Sequence, residues 1–110
     1  MTGWFELNKS TDEQFWFVLK AGNAETILTS ERYKTKGAAE NGITSVQTNS
    51  PSEARYERKI ASNQKLFFNL KASNHQVIGT SQMYASESSR EVGISSVKAN
   101  GASKTVKDNT

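Results

Sequence analysis

A shift of 51 residues lays this chain almost on top of itself. Phe17-Val18-Leu19-Lys20-Ala21 falls on Phe68-Asn69-Leu70-Lys71-Ala72, and Asn23, Ile27, Thr29-Ser30 and Tyr33 fall on identical residues at 74, 78, 80-81 and 84. Gly42-Ile43 and Ser45-Val46 repeat as Gly93-Ile94 and Ser96-Val97. From Gly3 to Ser50, 16 of 48 positions match without a gap, where ordinary residue frequencies give about three. A duplication of this kind settles architecture before any local reading. It leaves activity open.

Each repeat of about 50 residues is marginal as a domain alone, whereas 110 residues suffice for one core. The expectation is a single domain over 1–110, with repeats at 3–50 and 54–101 and a closing strand at about 103–108.

The pattern inside each repeat is the same. Trp4 to Asn8 alternates apolar and polar residues and reads as a strand, followed by a polar loop from Lys9 to Gln14. Phe15 to Ala21 is aromatic and branched, the strongest strand signal. Gly22-Asn23 supplies a turn, since both residue types accept positive φ, and Glu25 to Thr29 returns as the second arm of a hairpin. After Tyr33 the period changes: Ala39, Gly42, Ile43 and Val46 lie on one face of a helix. Thr35 and Ser86 are its N-caps in the two copies, and Asn49 and Asn100 its ends. A glycine repeated on the buried helix face predicts close approach to the sheet. The segment after each helix reads as a strand, that of the first copy doubling as the opening strand of the second. The fold class is α+β: tandem β-β-β-α-β repeats in one antiparallel sheet, with two helices on one face.

Alternation assigns the faces. Phe15, Phe17, Leu19 and Leu66, Phe68, Leu70 turn toward the helices. Trp16, Val18, Lys20 and Phe67, Asn69, Lys71 turn away, and Trp4 does so because Phe5 is taken as buried. Trp4, Trp16, Lys20, Phe67 and Lys71 are therefore the candidate partner-binding surface. Lys9 and Arg55 extend its basic character. Rings beside lysines on a sheet suit stacking of single-stranded nucleic acid; the alternative is that tail or loop residues cover these rings, or that they close a dimer.

Catalysis finds little support. His75 is the one histidine, sits in a turn and lacks a visible orienting partner. Glu6/Glu57 and Glu40/Glu91 are pairs by duplication and read as surface carboxylates. Thr29-Ser30 and Thr80-Ser81 have no base beside them. Cysteine is absent, which removes thiolate chemistry and disulfides and fits a reducing cytoplasm. No phosphate loop or metal-ligand cluster is visible, so no cofactor is expected. The expectation is a cytoplasmic binding module that does not cross a membrane. It is monomeric because the duplication supplies both halves of the sheet. The net charge of +3 is concentrated late: residues 53–110 carry nine basic and five acidic side chains, residues 1–52 five and six.

The run Phe17 to Asn23, with Ile27 to Glu31, Tyr33, Ala39 to Ile43, Ser45-Val46 and Val77 to Ser81, is similar to the YegP-like proteins of bacteria. The resemblance covers nearly the whole chain. It implies that the two copies share one sheet and exchange terminal strands, and that single-copy relatives build the same sheet as dimers. The family brings no assigned catalytic or binding residue. Two departures from its pattern are Ala24, where glycine is frequent, and Arg90, where Ala39 has a small residue.

Overall fold

A computed structural model describes residues 3–110. Three strands open the first repeat: β1 (Trp4–Lys9), β2 (Phe15–Lys20) and β3 (Thr26–Ser30); helix α1 (Lys36–Asn49) follows. A 3-10 turn (Glu53–Arg55) leads into β4 (Tyr56–Ile60), β5 (Leu66–Lys71), β6 (Val77–Thr80), α2 (Glu87–Asn100) and β7 (Val106–Asp108). One seven-stranded sheet contains all of them, in the order β4-β5-β6-β3-β2-β1-β7. The last strand of the second repeat lies beside the first strand of the first, so terminal strands are exchanged. The sheet is not wholly antiparallel as the sequence suggested: β7 runs parallel to β1, pairing Val106 with Phe5 and Asp108 with Leu7.

The repeats meet about a pseudo-twofold axis between β3 and β6, where Thr29 pairs with its own counterpart Thr80. Two more equivalent pairs crowd the axis. A Cβ on Gly79 would stand 2.8 Å from Cγ of Leu28, and one on Gly101 would stand 2.3 Å from Oγ of Ser50. In each pair one side chain fills the space and the other position carries only hydrogen.

The hydrophobic pattern dictates the rest. Phe5, Leu7, Phe17, Leu19, Leu28, Phe68 and Leu70 are almost wholly buried on the helix side of the sheet. They meet Ala39, Ile43 and Val46 of α1 and Ile94 and Val97 of α2 in one core. Tyr33 and Tyr84 stack on Phe17 and Phe68 with rings nearly parallel, centroids 6.3 Å apart in both copies. The helix glycines lie against these tyrosines: a Cβ on Gly42 would come within 2.6 Å of the Tyr33 hydroxyl oxygen and 2.8 Å of a Phe17 ring carbon. The expected close approach is therefore to the ring layer on the sheet. Thr35 Oγ1 and Ser86 Oγ accept from Ala38 N and Ser89 N, the N-caps expected.

Local details differ from the sequence reading in three places. Lys9 belongs to β1, and the loop begins at Ser10. The left-handed residue of the β2–β3 turn is Ala24 (φ 71°), not Gly22 or Asn23, and His75 (φ 69°) is its counterpart. Ala24 N donates to Ala21 O and Ala21 N to Glu25 O, so Gly22 and Asn23 form the turn and the next residue takes the positive φ. The register also slips where Leu19 pairs with Leu28 but Lys20 with Thr26. Ile27 is the extra residue of that bulge, so Ile27 and Leu28 are both buried despite being adjacent.

Candidate functional site

The helix-free face of the sheet is laid out by strand register. Trp4 stands opposite Lys20, Glu6 opposite Val18 and Asn8 opposite Trp16. On the second half, Glu57 stands opposite Asn69, Lys59 opposite Phe67 and Lys71 opposite Val77. All five predicted surface residues, Trp4, Trp16, Lys20, Phe67 and Lys71, share this face and are half-buried. They do not converge on one pocket. Trp4 and Lys20 lie at one end of the β1–β2 pair and Trp16 at the other. Because β2 and β5 run in opposite directions, Lys71 lies at the Trp16 end of the sheet and Phe67 at the Trp4 end.

Cations sit on the two tryptophans. The Arg32 guanidinium lies 4.7 Å from the centroid of the Trp16 ring, and Lys107 Nζ lies 4.4 Å from that of Trp4. Such pairs hold an exposed ring by about 0.5–1 kcal/mol. The Trp4 indole N–H donates to Glu6 Oε2 at 2.8 Å. Arg32 comes from the segment after β3 and Lys107 from β7. Arg32 lies outside the strand alternation, and Lys107 joins the face only because β7 docks on β1. Neither was visible in the residue pattern of the face itself. Lys9 was expected here but points to the helix side, where its Nζ lies 5.8 Å from the Phe15 ring. Arg55 sits in the 3-10 turn.

The centre of the face is drier than strand alternation suggested, because Val18 and Asn69 are buried there. A chain of polar contacts crosses the second half. Thr80 Oγ1 donates to Asn69 Oδ1, Asn69 Nδ2 donates to Glu57 Oε1, and Lys71 Nζ donates to Glu57 Oε2 at 2.9 Å. Lys71 above all, then Asn69, holds the Glu57 carboxyl below its usual range. Glu57 is thus paired with Lys71 within the face, and Glu6 accepts from the Trp4 indole.

The other side of the molecule carries a structural charge network. Arg58 binds both oxygens of Glu91 at 2.7 Å and Glu53 at 2.8 Å, and Lys98 binds the other Glu53 oxygen. Arg58 and then Lys98 lower Glu53 to about 2. A cleft of about 200 Å³ lies between α2 and the β2–β3 turn, lined by Ala21, Glu25, Ile27, Gln82, Tyr84 and Val92 among others. Glu25 is the one carboxylate in its lining. His75 is exposed in its turn. Among the described residues, no three His, Asp or Glu side chains gather as metal ligands, and no helix is long and apolar enough to cross a membrane.

Known proteins repeat this arrangement closely. The domain of unknown function DUF1508 matches twice, over residues 10–57 and 61–108, the same 51-residue period. The UPF0339 protein YegP of Escherichia coli K12 is 71% identical over 110 residues, with both chains covered completely. The UPF0339 protein of Acinetobacter baylyi is 66% identical, covering 100% of this chain and 99% of that one. A solution NMR structure of yegP from E. coli, described there as a protein of unknown function, superposes with a TM-score of 0.95, covering 100% of this chain and 95% of that one. The NMR structure of a UPF0339 protein from Shewanella oneidensis, 63% identical, gives 0.92 with 98% and 92% covered. With two family matches and full-length relatives at this identity, the chain belongs to the YegP-like DUF1508 family in its tandem-repeat form.

Proposed function

We propose that this chain is a monomeric, cytoplasmic, non-catalytic binding module that uses the helix-free sheet face. The observation that carries this reading is a face with no second layer over it among the described residues, on which Trp4, Trp16 and Phe67 stay only half-buried beside Lys20, Lys71, Arg32 and Lys107. Burying such rings is worth about 1.5–3 kcal/mol each, and a partner laid on the face gains what folding leaves unused. The duplication supplies both halves of the core, which supports a monomer.

A second reading, sequence-tolerant binding of single-stranded nucleic acid, is favoured by the Arg32–Trp16 and Lys107–Trp4 pairs. Ring and cation together match the stacking and charge that a flexible strand offers. Titration with a fluorescent oligonucleotide at low and high salt separates the readings. Nucleic-acid binding must be strongest at low salt and must weaken in Trp16→Ala; absence of binding at low salt removes it. A pull-down with the wild-type chain, repeated with Trp16→Ala, tests the broader reading, which fails if every captured partner is retained by the variant.

A further inference from the structure

The duplicated chain is one strand short. β7 caps β1 at one edge of the sheet: Phe5 N donates to Thr105 O and Asn109 N to Leu7 O. Fifty-one residues before Lys104–Asp108 stand Glu53–Glu57, whose last two residues begin β4. Having entered the sheet as the opening strand of the second repeat, this segment has no counterpart to cap it among the described residues, where β4 is the terminal strand.

Backbone parity shows what the edge presents. Ala61 N donates inward to Lys65 O, so Lys59 and Glu57 also bond toward β5. Arg58 and Ile60 therefore turn their N–H and C=O groups outward, as Leu7 does toward β7. Tyr56 N is already bonded to Glu53 O. The Ile60 side chain is 66% exposed beside this ladder, and an uncovered strand edge is a template for another strand.

The capped edge also shows which side chains the vacant one selects. On the helix side, Asp108 of β7 reaches Lys36 at the start of α1, 2.6 Å away; the residue equivalent to Lys36 is Glu87, exposed at the start of α2. On the other side, Lys107 covers Trp4, and the equivalent of Trp4 is Arg55. The charge is reversed on the helix side, and on the other side Arg55, in the turn that leads into β4, brings a cation where Trp4 offers a ring. We propose that the outer edge of β4 binds an extended peptide strand running parallel to it, with a basic residue facing Glu87 and an acidic one beside Arg55. This site is separate from the sheet face and does not depend on that reading.

The probe is the peptide of residues 103–110 carrying Lys107→Glu and Asp108→Lys, titrated into the full chain and followed at the backbone amides. Shifts and hydrogen-exchange protection at Arg58 and Ile60 are expected, with binding tighter than that of the unaltered peptide by about threefold for each of the two exposed ion pairs gained. Glu87→Lys levels the two peptides, since it reverses one of the two contacts, and Ile60→Pro, which removes an outward N–H while leaving the β5 ladder intact, abolishes the shifts. Shifts confined to the sheet face or to β1, or a preference that Glu87→Lys leaves unchanged, overturn the proposal. So do concentration-dependent shifts at Arg58 and Ile60 without peptide, which make a second copy of the chain the occupant.

Discussion

The side chain of Leu28 occupies the space that a side chain on Gly79 would need, and the two are equivalent residues of the two repeats. An axis through a duplicated core has room for one leucine there. Gly79→Leu alone should destabilise by about 1–3 kcal/mol through overpacking, and Leu28→Gly alone by about 2–5 kcal/mol through a cavity. The double variant moves the leucine across the axis and should recover most of both losses. Denaturant titration of the four proteins gives the coupling; simple additivity would mean that the residues do not share one space.

Neighbouring aromatic residues on opposite faces should behave differently. Phe17 is fully buried, so Phe17→Ala should cost about 3–5 kcal/mol. Trp16→Ala loses a half-exposed ring and its Arg32 contact, worth about 0.5–1 kcal/mol, and the melting temperature should move far less. A Trp16→Ala loss as large as that of Phe17→Ala would place the ring in the core.

The β2–β3 turn holds a non-glycine residue at positive φ. Left-handed backbone costs an L-residue about 1–2 kcal/mol, while glycine loses about 0.4–1 kcal/mol through its freer unfolded chain. Ala24→Gly should therefore stabilise by about 0.5–1 kcal/mol. A lower denaturation midpoint would show that Ala24 makes a contact that offsets its strain.

Stability should fall in acid. Glu53 sits at about 2 in the fold against an ordinary 4.5; Arg58 likewise holds Glu91 low, and Lys36 holds Asp108 low. Carboxyls depressed by folding stabilise above their unfolded values, and the gain is lost as pH falls through the folded ones. Denaturation midpoints should drop between about pH 4.5 and about pH 2. Glu53→Gln should flatten that slope, and added salt should shrink it, since the network is exposed.

Much of this fold was legible because burial repeats. Phe17 and Phe68, or Ile43 and Ile94, carry periodicities of two and 3.6 that strand and helix impose, and the second copy checks the first. What escaped depends on neighbours distant in sequence. The bulge that buries Ile27 beside Leu28 breaks alternation without a local signal. The parallel pairing of β7 is set by the opposite end of the chain. The candidate face was legible as a set of outward rings, because Trp4, Trp16 and Phe67 obey parity. Arg32 and Lys107 were not, since one lies beyond a strand end and the other arrives on an exchanged strand.

The parallel contact between β1 and β7 also sets how the molecule answers to force. Tension applied at Gly3 and Thr110 pulls these adjacent strands in opposite directions along their length. The bonds from Phe5 N to Thr105 O and from Asn109 N to Leu7 O are then sheared together rather than opened one after another. The Ser103 hydroxyl, which donates to Gly3 O, adds a third tie at the head of the pair. The fold thus places a mechanical clamp across the two ends of its described chain, and rupture under load is governed by the barrier to breaking that clamp.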